Sequence, residues 1–273
     1  MNRYTWRTGV LEFVMLAVAV VFAFPFFILV NLSIRAPHDQ TSPLIPTLAP
    51  TIANFVTAWN QANLGAAVLN SLLITVTSVI TVVFVSAMAS YPLVRLTSRL
   101  SRGTYWLVMI GLLLPFQIAL IPLYTTMRDI GLLGTPWSLV LFYSGLQVPF
   151  SVFLYTGFLR AIPHEYEEAA AIDGAGPFRA FWQVVFPMMR PVTGTVVILN
   201  AIFVWNDFLT PLLYLSGSGS QTIPVALFSF VGEYQSNWPV VFAGLIIGIT
   251  PILTVYFLLQ KSVIRGFSGG LKG

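Results

Sequence analysis

The 273-residue sequence contains no cysteine and only two histidines, His38 and His164. Without cysteine the chain has no disulfide, no thiolate metal ligand and no thiol nucleophile. The two histidines lie far apart in the sequence and have none of the spacings typical of a metal site. We therefore expect no metal or redox chemistry in this chain.

Charged residues are also scarce, at 8% of the chain, whereas about a quarter is usual in soluble domains. Hydrophobic residues make up 57%, and the mean hydropathy is +0.85. A soluble domain of this size could not bury so much apolar surface. The net charge of +4 includes no run of basic residues, so no nucleic-acid partner is expected. The composition predicts an integral membrane protein in contact with lipid, and the length of its apolar runs predicts an all-α fold.

The sequence has no G-x-x-x-x-G-K-[S/T] phosphate-binding loop. Its two lysines, Lys261 and Lys272, do not follow glycines in that pattern, so any ATP hydrolysis belongs to another chain. Neither histidine is placed with a nucleophile inside an apolar segment, which argues against a membrane-embedded enzyme. We predict no catalytic residue and no cofactor in this chain.

Apolar blocks of about 20 residues or more predict six transmembrane helices. They cover residues 10–32, 66–94, 104–126, 136–159, 191–215 and 239–262. The first block is longer than the 7 to 15 apolar residues of a signal peptide, which is the competing interpretation, so an uncleaved anchor is favoured. Residues 33–65 are polar and proline-rich and predict an external loop with a weakly amphipathic piece around Phe55 and Ala58.

The distribution of Lys and Arg predicts the orientation of these helices. All but two of the 13 basic residues, the exceptions being Arg35 and Arg128, fall in the termini or in loops on one side. Basic residues are retained on the cytoplasmic side of a membrane. Both termini and residues 162–191 are therefore predicted to be cytoplasmic, and the loop 216–239, which has no basic residue, external.

Residues 162–191, which we call the polar segment, interrupt the apolar runs. Glu165, Glu167 and Glu168 follow Pro163 and favour a helix start, because carboxylates face the positive end of the helix dipole. Small Ala169 and Ala170 would allow another protein to approach closely, and Asp173 and Gly174 predict the helix end. A second helix is predicted from Pro177, with Phe178, Phe181, Trp182 and Val185 on one face. The alternative is an amphipathic hairpin that merely links two spans.

Asp207 is the one acidic residue that the sequence places well inside a predicted span. A charge there costs about 2.5–3.5 kcal/mol unless it meets a partner or a wet cavity. Its neighbours Trp205, Asn206 and Phe208 combine an amide with two rings, a set suited to sugars. These four residues are predicted to line a substrate pathway, although bonding between helices is an equally good explanation.

Weaker pathway candidates lie beside prolines. Gln117 follows Pro115 and Gln147 precedes Pro149, and helix breaks within a membrane are tolerated mainly where the backbone is buried in protein or lines water. Asn70, Ser71 and Asn200 are instead expected to form hydrogen bonds between helices.

The order of residues in the polar segment resembles the cytoplasmic loop of permease subunits in ATP-binding-cassette importers. The resemblance rests on Glu168-Ala169-Ala170, on Gly174 six positions after the glutamate, and on Pro187, and it covers residues 66–262. Further positions resemble the carbohydrate-uptake branch, in particular its maltose-type second permease: Asn70-Ser71, Trp205-Asn206-Asp207-Phe208 and Pro211.

This resemblance implies a type I importer permease fold in a bacterial cytoplasmic membrane. The core would occupy residues 66–262, after an anchor and external loop at 1–65 and before a cytoplasmic tail at 263–273. The polar segment would be the coupling helix, with contacts to the ATPase from Glu167, Glu168, Ala169, Ala170, Asp173 and Gly174.

The partners that the resemblance implies are a second, homologous permease subunit, a dimer of ATPase subunits that binds ATP and Mg²⁺, and an extracytoplasmic sugar-binding protein. The substrate would be a disaccharide or oligosaccharide moved by alternating access. The main alternative is an ion-coupled secondary transporter that uses Asp207 as its coupling carboxylate. The sequence does not separate sugars from polyols or glycerol phosphates.

Overall fold

The structure is a computed structural model, and it describes residues 5–36, 39, 41–233 and 237–269. Within those ranges every regular element is a helix, which confirms the all-helical prediction. In chain order the α-helices are α1 Trp6–Ser33, α2 Ala53–Gln61, α3 Leu64–Arg95, α4 Arg99–Leu113, α5 Phe116–Asp129, α6 Pro136–Leu159, α7 Glu165–Ile172, α8 Pro177–Ala180, α9 Phe186–Met188, α10 Arg190–Asn206, α11 Leu209–Tyr214, α12 Ile223–Glu233 and α13 Trp238–Gly269. His38 and the last four residues of the predicted tail lie outside the described residues.

Four helices, α1, α3, α6 and α13, are individually long and apolar enough to cross a membrane. Two further candidates are bent: α4 and α5 meet at 99°, and the helical stretch Pro177–Met188 meets α10 at 74°. The number of spans is thus four, or six if each bent pair forms one span. The predicted blocks 104–126 and 191–215 are each interrupted, the first at Leu114 and Pro115 and the second at Asp207 and Phe208.

The first break follows from the chemistry of Pro115. A proline has no amide hydrogen to continue the helix ladder and disfavours helical geometry in the residue before it. Leu114 is accordingly extended, with ψ of 122°, and Pro115 instead caps the start of α5. The polypeptide turns sharply at this point.

The chain divides into two compact units, and the larger comprises residues 66–225 and 251–273. One of its apolar clusters, which includes Val82, Tyr155 and Val196, joins α3, α6 and α10 to the polar segment. A second cluster, which includes Leu139, Tyr143 and Tyr214, joins α5, α6 and α11. These clusters fix the helices that carry the candidate site.

Polar side chains bond between elements of this unit, as the sequence predicts. Asn200 Nδ2 donates to Ser151 Oγ at 3.1 Å, and Ser71 Oγ accepts from the Ile223 amide at 2.9 Å. Asn70 Nδ2 donates to the Gln221 carbonyl at 3.2 Å. Such bonds hold helices together where apolar packing alone gives little preference over lipid.

The smaller unit comprises residues 1–65 and 226–250. The most apolar 18-residue window of α1 has none of its residues buried, and the helix is fastened at its last turn. There Asn31 donates to the carbonyls of Pro43 and Ile45 at 2.8 and 2.9 Å and accepts from the Thr47 amide at 2.9 Å. The sequence prediction of a helix around Phe55 and Ala58 is confirmed by α2.

The loop between α1 and α2 is organised around Arg35, which is 2% exposed. Its guanidinium donates to the carbonyls of Thr41, Ser42 and Ile45. Hydrogen bonds from the Thr41 hydroxyl and amide, together with the charge of Arg35, lower the pKa of Asp39. The Arg35 guanidinium thus supplies hydrogen bonds to loop carbonyls that lie outside any helix. These bonds give the loop a defined shape.

The segment 216–239 contains a helix that the sequence analysis did not predict. Gly217 and Gly219 have φ of +74° and +73° and form the turn expected there, but α12 follows directly. Its buried Ile223, Ala226 and Phe230 recur at helical spacing. With only 11 residues, the helix was too short to stand out by length.

Candidate functional site

The first half of the polar segment is the short helix α7, which ends in a glycine turn. The amide of Ala175 donates to the Ala170 carbonyl at 2.9 Å, and the amide of Gly174 donates to the Ala171 carbonyl at 3.0 Å. This pair of bonds is the Schellman motif, which requires a left-handed residue after the helix. Gly174 has φ of +81° and confirms the predicted turn.

The six predicted coupling residues divide between two faces of α7 and the turn after it. Glu167 is 6% exposed and Ala170 is 8% exposed, so both face the protein's own interior. The other four are exposed, namely Glu168, Ala169, Asp173 and Gly174. One face of α7 therefore packs against the rest of the protein, and the other face is exposed to solvent.

Glu167 ties α7 to the end of α3. Its Oε1 accepts from Arg95 Nε at 2.7 Å and lies 2.7 Å from Arg95 Nη2, while its Oε2 accepts from the Tyr91 hydroxyl at 2.9 Å. Arg95 Nη2 also donates to the Ile162 carbonyl at 3.0 Å. We call these three side chains, Tyr91, Arg95 and Glu167, the α3–α7 link. Because the pair is largely buried, loss of either partner would leave the other uncompensated.

The second half of the polar segment begins at Pro177, as predicted, and changes pitch. A π-helical turn, Phe181–Val185, joins α8 to α9. Phe181 and Val185 are buried, and the rings of Tyr91 and Phe181 are 5.2 Å apart. Phe178 was expected on the same face but is 68% exposed.

Large apolar side chains are exposed on this segment, and the sequence analysis did not single them out as a surface. Ile172 is 87% exposed, Phe178 68% and Tyr166 50%. Between α7 and α8 lies a depression of about 360 Å³, lined in part by Tyr166, Asp173 and Arg179. Exposed apolar groups beside charged ones are typical of a protein interaction surface.

The second candidate region is the interruption between α10 and α11. Asp207 ends α10 in an extended conformation, with ψ of 128°. One carboxylate oxygen accepts from the amides of Leu209 and Thr210 at 3.1 and 3.5 Å, and the other accepts from the Tyr143 hydroxyl at 2.9 Å. Asp207 thus holds the start of α11 and binds to α6, which is the structural role that the sequence left open.

The remaining pathway candidates are not all brought together. Asn206 is exposed, and its amide donates to the Ile202 carbonyl at 2.8 Å; Phe208 is half-buried. Gln147 is buried on α6, one turn after the Tyr143 whose hydroxyl bonds to Asp207. Tyr143 is thus the residue that connects Gln147 with Asp207. Gln117 is exposed on α5, just beyond the α4–α5 bend.

Trp205 faces a different environment from its polar neighbours. It is 4% exposed and lines an apolar cavity of about 310 Å³ together with side chains of α3 and α13, among them Leu72 and Ile252. An indole in that position packs against aliphatic groups. In this conformation Trp205 does not share a surface with the exposed Asn206.

Tyr143 belongs to the Asp207 region and Arg95 to the α3–α7 link, and neither was among the predicted site residues. Tyr143 lies 64 positions from Asp207 and Arg95 lies 72 from Glu167, so no local pattern joins them. Among the described residues, no three His, Asp or Glu side chains are grouped so that they could hold a metal ion.

Residues 82–269 match the family described as "Binding-protein-dependent transport system inner membrane component". The chain is 33% identical over 268 residues to the melibiose/raffinose/stachyose import permease protein MelC of Bacillus subtilis, covering 97% of each sequence. It is 37% identical over 205 residues to the multiple sugar-binding transport system permease protein MsmG of Streptococcus mutans, covering 74% of each.

The fold is also found in a solved structure. A chain in the crystal structure of a bacterial ABC transporter involved in the import of the acidic polysaccharide alginate superposes with a TM-score of 0.82. The match covers 96% of this protein and 99% of that chain, at 22% identity. At this identity the comparison establishes the common fold.

Proposed function

The chain belongs to the family of binding-protein-dependent transport system inner membrane components, and from that premise we propose that it is the permease subunit of a bacterial ATP-binding-cassette importer for sugars. As a member it is a translocation component of the inner membrane and not an enzyme. Its relatives include permeases named for melibiose, raffinose and stachyose and for multiple sugars. These names support a disaccharide or oligosaccharide as the substrate.

The observation that carries the mechanism is the division of α7 into two faces. One face is bound to α3 through the α3–α7 link, and the other presents Glu168, Ala169 and Ile172 to solvent. An ATPase subunit docked on the exposed face would pull on the transmembrane helices through a rigid, charge-assisted contact. The polar segment thereby acts as the coupling element.

Six transmembrane helices with cytoplasmic termini are part of this proposal. The bent pair α4–α5 counts as one span and α10 with α11 as another, while Pro177–Met188 stays with the polar segment in the cytoplasm. ATP-driven closure of an ATPase dimer would move α7, and a cavity shared with a second permease would open first outward and then inward. ATP and Mg²⁺ would bind to the ATPase subunits, and an extracytoplasmic sugar-binding protein would deliver the sugar. The chain itself forms and breaks no covalent bond.

The substrate pathway is assigned to the break between α10 and α11. With 17 residues, α10 is about 25 Å long, so a start at the cytoplasmic boundary would bring Asp207 to the outer half of a hydrocarbon layer about 30 Å thick. Interrupted helices within a membrane are tolerated where their backbone is covered by protein or faces water. Asn206 is exposed at this break and Asp207 half-exposed, whereas no finding supports ion coupling by Asp207.

The function is tested by reconstituting the chain with its companion permease and ATPase subunits in proteoliposomes. ATP inside the vesicles and the binding protein outside should drive uptake of labelled melibiose, raffinose or maltotriose. An inert ATP analogue should prevent it. Uptake that continued without ATP and followed an imposed ion gradient would overturn the proposal.

The orientation of the helices can be tested with single cysteines, because the chain has no native thiol. Cysteines at Ser218, between α11 and α12, and at Ser268, in the last helix, are expected to be labelled by an impermeant maleimide from opposite sides of the membrane. Ser218 should react in intact cells and Ser268 only after lysis. Labelling of both positions in intact cells would contradict the six-span arrangement.

The pathway residues can be separated from purely structural ones by comparing three variants. Asp207→Asn keeps an oxygen for the Leu209 and Thr210 amides but removes the charge, and Asn206→Ala removes an exposed amide. Each should lower sugar uptake about tenfold, the loss expected for a hydrogen bond to a charged or precisely placed group, with unchanged complex assembly and basal ATPase activity.

Tyr143→Phe is the control for that comparison, since it removes only the hydroxyl that bonds to Asp207. A smaller defect than in Asp207→Asn is expected. Normal uptake by both Asp207→Asn and Asn206→Ala would show that these residues have a structural role and no part in the substrate pathway.

A further inference from the structure

A small polar cavity lies where α3, α4 and α6 end or begin, separate from the polar segment and from the α10–α11 break. Its volume is about 220 Å³. Thr97 and Ser98 line it between α3 and α4, Arg102 and Tyr105 line it from α4, and Arg160 lines it from the end of α6. The guanidinium carbon of Arg160 is 5.2 Å from the centre of the Tyr105 ring.

Arg102 and Arg160 bring two positive charges to this cavity, and no acidic side chain is among the described residues that line it. The ion pairs within the described ranges are made by Arg35, Arg95 and Arg128. Both cavity arginines are exposed, so their donors can reach a bound group. The cation–π contact fixes Arg160 beside the ring and leaves the edge of its guanidinium available.

The start of α4 adds to the attraction for an anion. This 15-residue helix begins beside the cavity, and its dipole contributes partial positive charge there. The Ser98 hydroxyl accepts from the Ser101 amide at 3.1 Å, which leaves the earlier amides of the first turn without a partner inside the helix. Two guanidinium groups, a hydroxyl and a helix start suit a phosphate group.

The surface around the cavity indicates that the phosphate is carried by a lipid. Leu96 lines the cavity and is 58% exposed, and Trp106, one turn after Arg102 on α4, is 62% exposed. Tyrosine and tryptophan beside arginine and an exposed leucine are typical of the boundary between headgroups and acyl chains. A soluble phosphate compound would gain nothing from Leu96 and Trp106, whereas acyl chains would pack on them.

We propose that Arg102, Arg160, Tyr105 and Ser98 form a binding site for the phosphate of an anionic phospholipid such as phosphatidylglycerol. The site lies in the cytoplasmic leaflet if the orientation proposed above is right. The bound headgroup joins α4 to the end of α6, two residues before Ile162 and the polar segment. It neutralises two charges that have no acidic partner among the described residues.

The test measures lipid binding to the purified importer complex in a neutral detergent, without ATP or sugar, so its outcome is independent of the transport proposal. The probes are dioctanoyl phosphatidylglycerol, dioctanoyl phosphatidylcholine and inorganic phosphate. The phosphatidylglycerol affinity should exceed that of phosphatidylcholine. The double variant Arg102→Gln/Arg160→Gln should lower it about tenfold or more, since each lost contact is a charge-assisted hydrogen bond.

Arg128→Gln is the matched control, because it removes one exposed arginine from another part of the chain and should leave the lipid affinity unchanged. If the double variant does not fold, Arg102→Lys/Arg160→Lys keeps the charges but loses the forked geometry and should still weaken binding measurably. Equal affinity for the two lipids, or unchanged affinity in the cavity variants, would overturn the proposal.

Two outcomes would assign the cavity to another ligand. Displacement of the lipid by an equal concentration of inorganic phosphate would show that the acyl chains contribute nothing and that a soluble phosphate is the ligand. Loss of the ATPase subunit from the double variant, with unchanged lipid affinity, would show that the arginines bind a protein. Either result rejects a lipid site.

Discussion

Sugar uptake is expected to fall steeply when Gly174 is replaced by valine. The residue has φ of +81°, and a left-handed conformation costs an L-residue about 1–2 kcal/mol, with a β-branched side chain among the least tolerant. This strain disfavours the turn by about 5–30-fold. No atom lies within 4 Å of the Cβ position, so the expected effect comes from the backbone and not from a clash.

Two comparisons isolate that cause. Gly176→Val is the matched control, since Gly176 has φ of −69° and equally open surroundings, and it should retain most uptake. Gly174→Asn should be intermediate, because asparagine tolerates the left-handed region better than other residues with a side chain. The measurements are ATP-driven uptake, sugar-stimulated ATP hydrolysis and co-purification of the ATPase subunit.

Glu168→Lys tests the docking surface itself without altering the turn. Glu168 is exposed on α7, so a change of charge should repel a basic group of the partner without disturbing the spans. We expect loss of the ATPase subunit together with loss of uptake. If ATP hydrolysis drove uptake as in the wild type in both Glu168→Lys and Gly174→Val, the polar segment would have no part in the mechanism.

A different kind of failure is expected when the α3–α7 link is broken. Arg95 and Glu167 side chains are 12% and 6% exposed, and removal of one partner from such a buried pair costs about 3–5 kcal/mol. Glu167→Gln keeps the size of the side chain but leaves Arg95 without its counter-ion. The exposed face of α7 stays intact, so the ATPase subunit should still co-purify while sugar no longer stimulates ATP hydrolysis.

The exchanged pair Arg95→Glu/Glu167→Arg should recover part of the coupling that Glu167→Gln loses, because the attraction is restored in reverse. Arg128→Gln is the control: Arg128 and Asp129 form an ion pair 61% and 65% exposed, and surface pairs contribute about 0–1 kcal/mol. If Glu167→Gln coupled ATP hydrolysis to uptake normally, the link would have no part in transmission.

The sequence predicts most of the helices and the turn in the polar segment because those features are local. Glycine at position 174 favours a left-handed turn, proline at position 177 favours a helix start, and long apolar runs mark α1, α3, α6 and α13. The side chains that we propose to act in coupling could also be named from the sequence. Glu167 and Glu168 are adjacent in the sequence, however, and only the fold shows that one faces inward and the other outward.

Features that depend on distant residues were not predictable in the same way. The Asp207 carboxylate interrupts a predicted span because it bonds to the Leu209 and Thr210 amides and to Tyr143. A hydropathy pattern does not reveal that a side chain competes in this way with the backbone hydrogen bonds of a helix. Likewise, the π turn at Phe181–Val185 inserts one residue into a pattern that reads as a regular amphipathic helix.

The exposure of α1 bears on the order in which the chain is made. It has 28 residues, and its apolar window buries no residue within the protein. A helix of this hydropathy can partition into a bilayer from its own transfer free energy, without waiting for later segments. We expect α1 to enter the membrane during synthesis, before the Asn31 and Arg35 contacts that fasten its end to the following loop have formed.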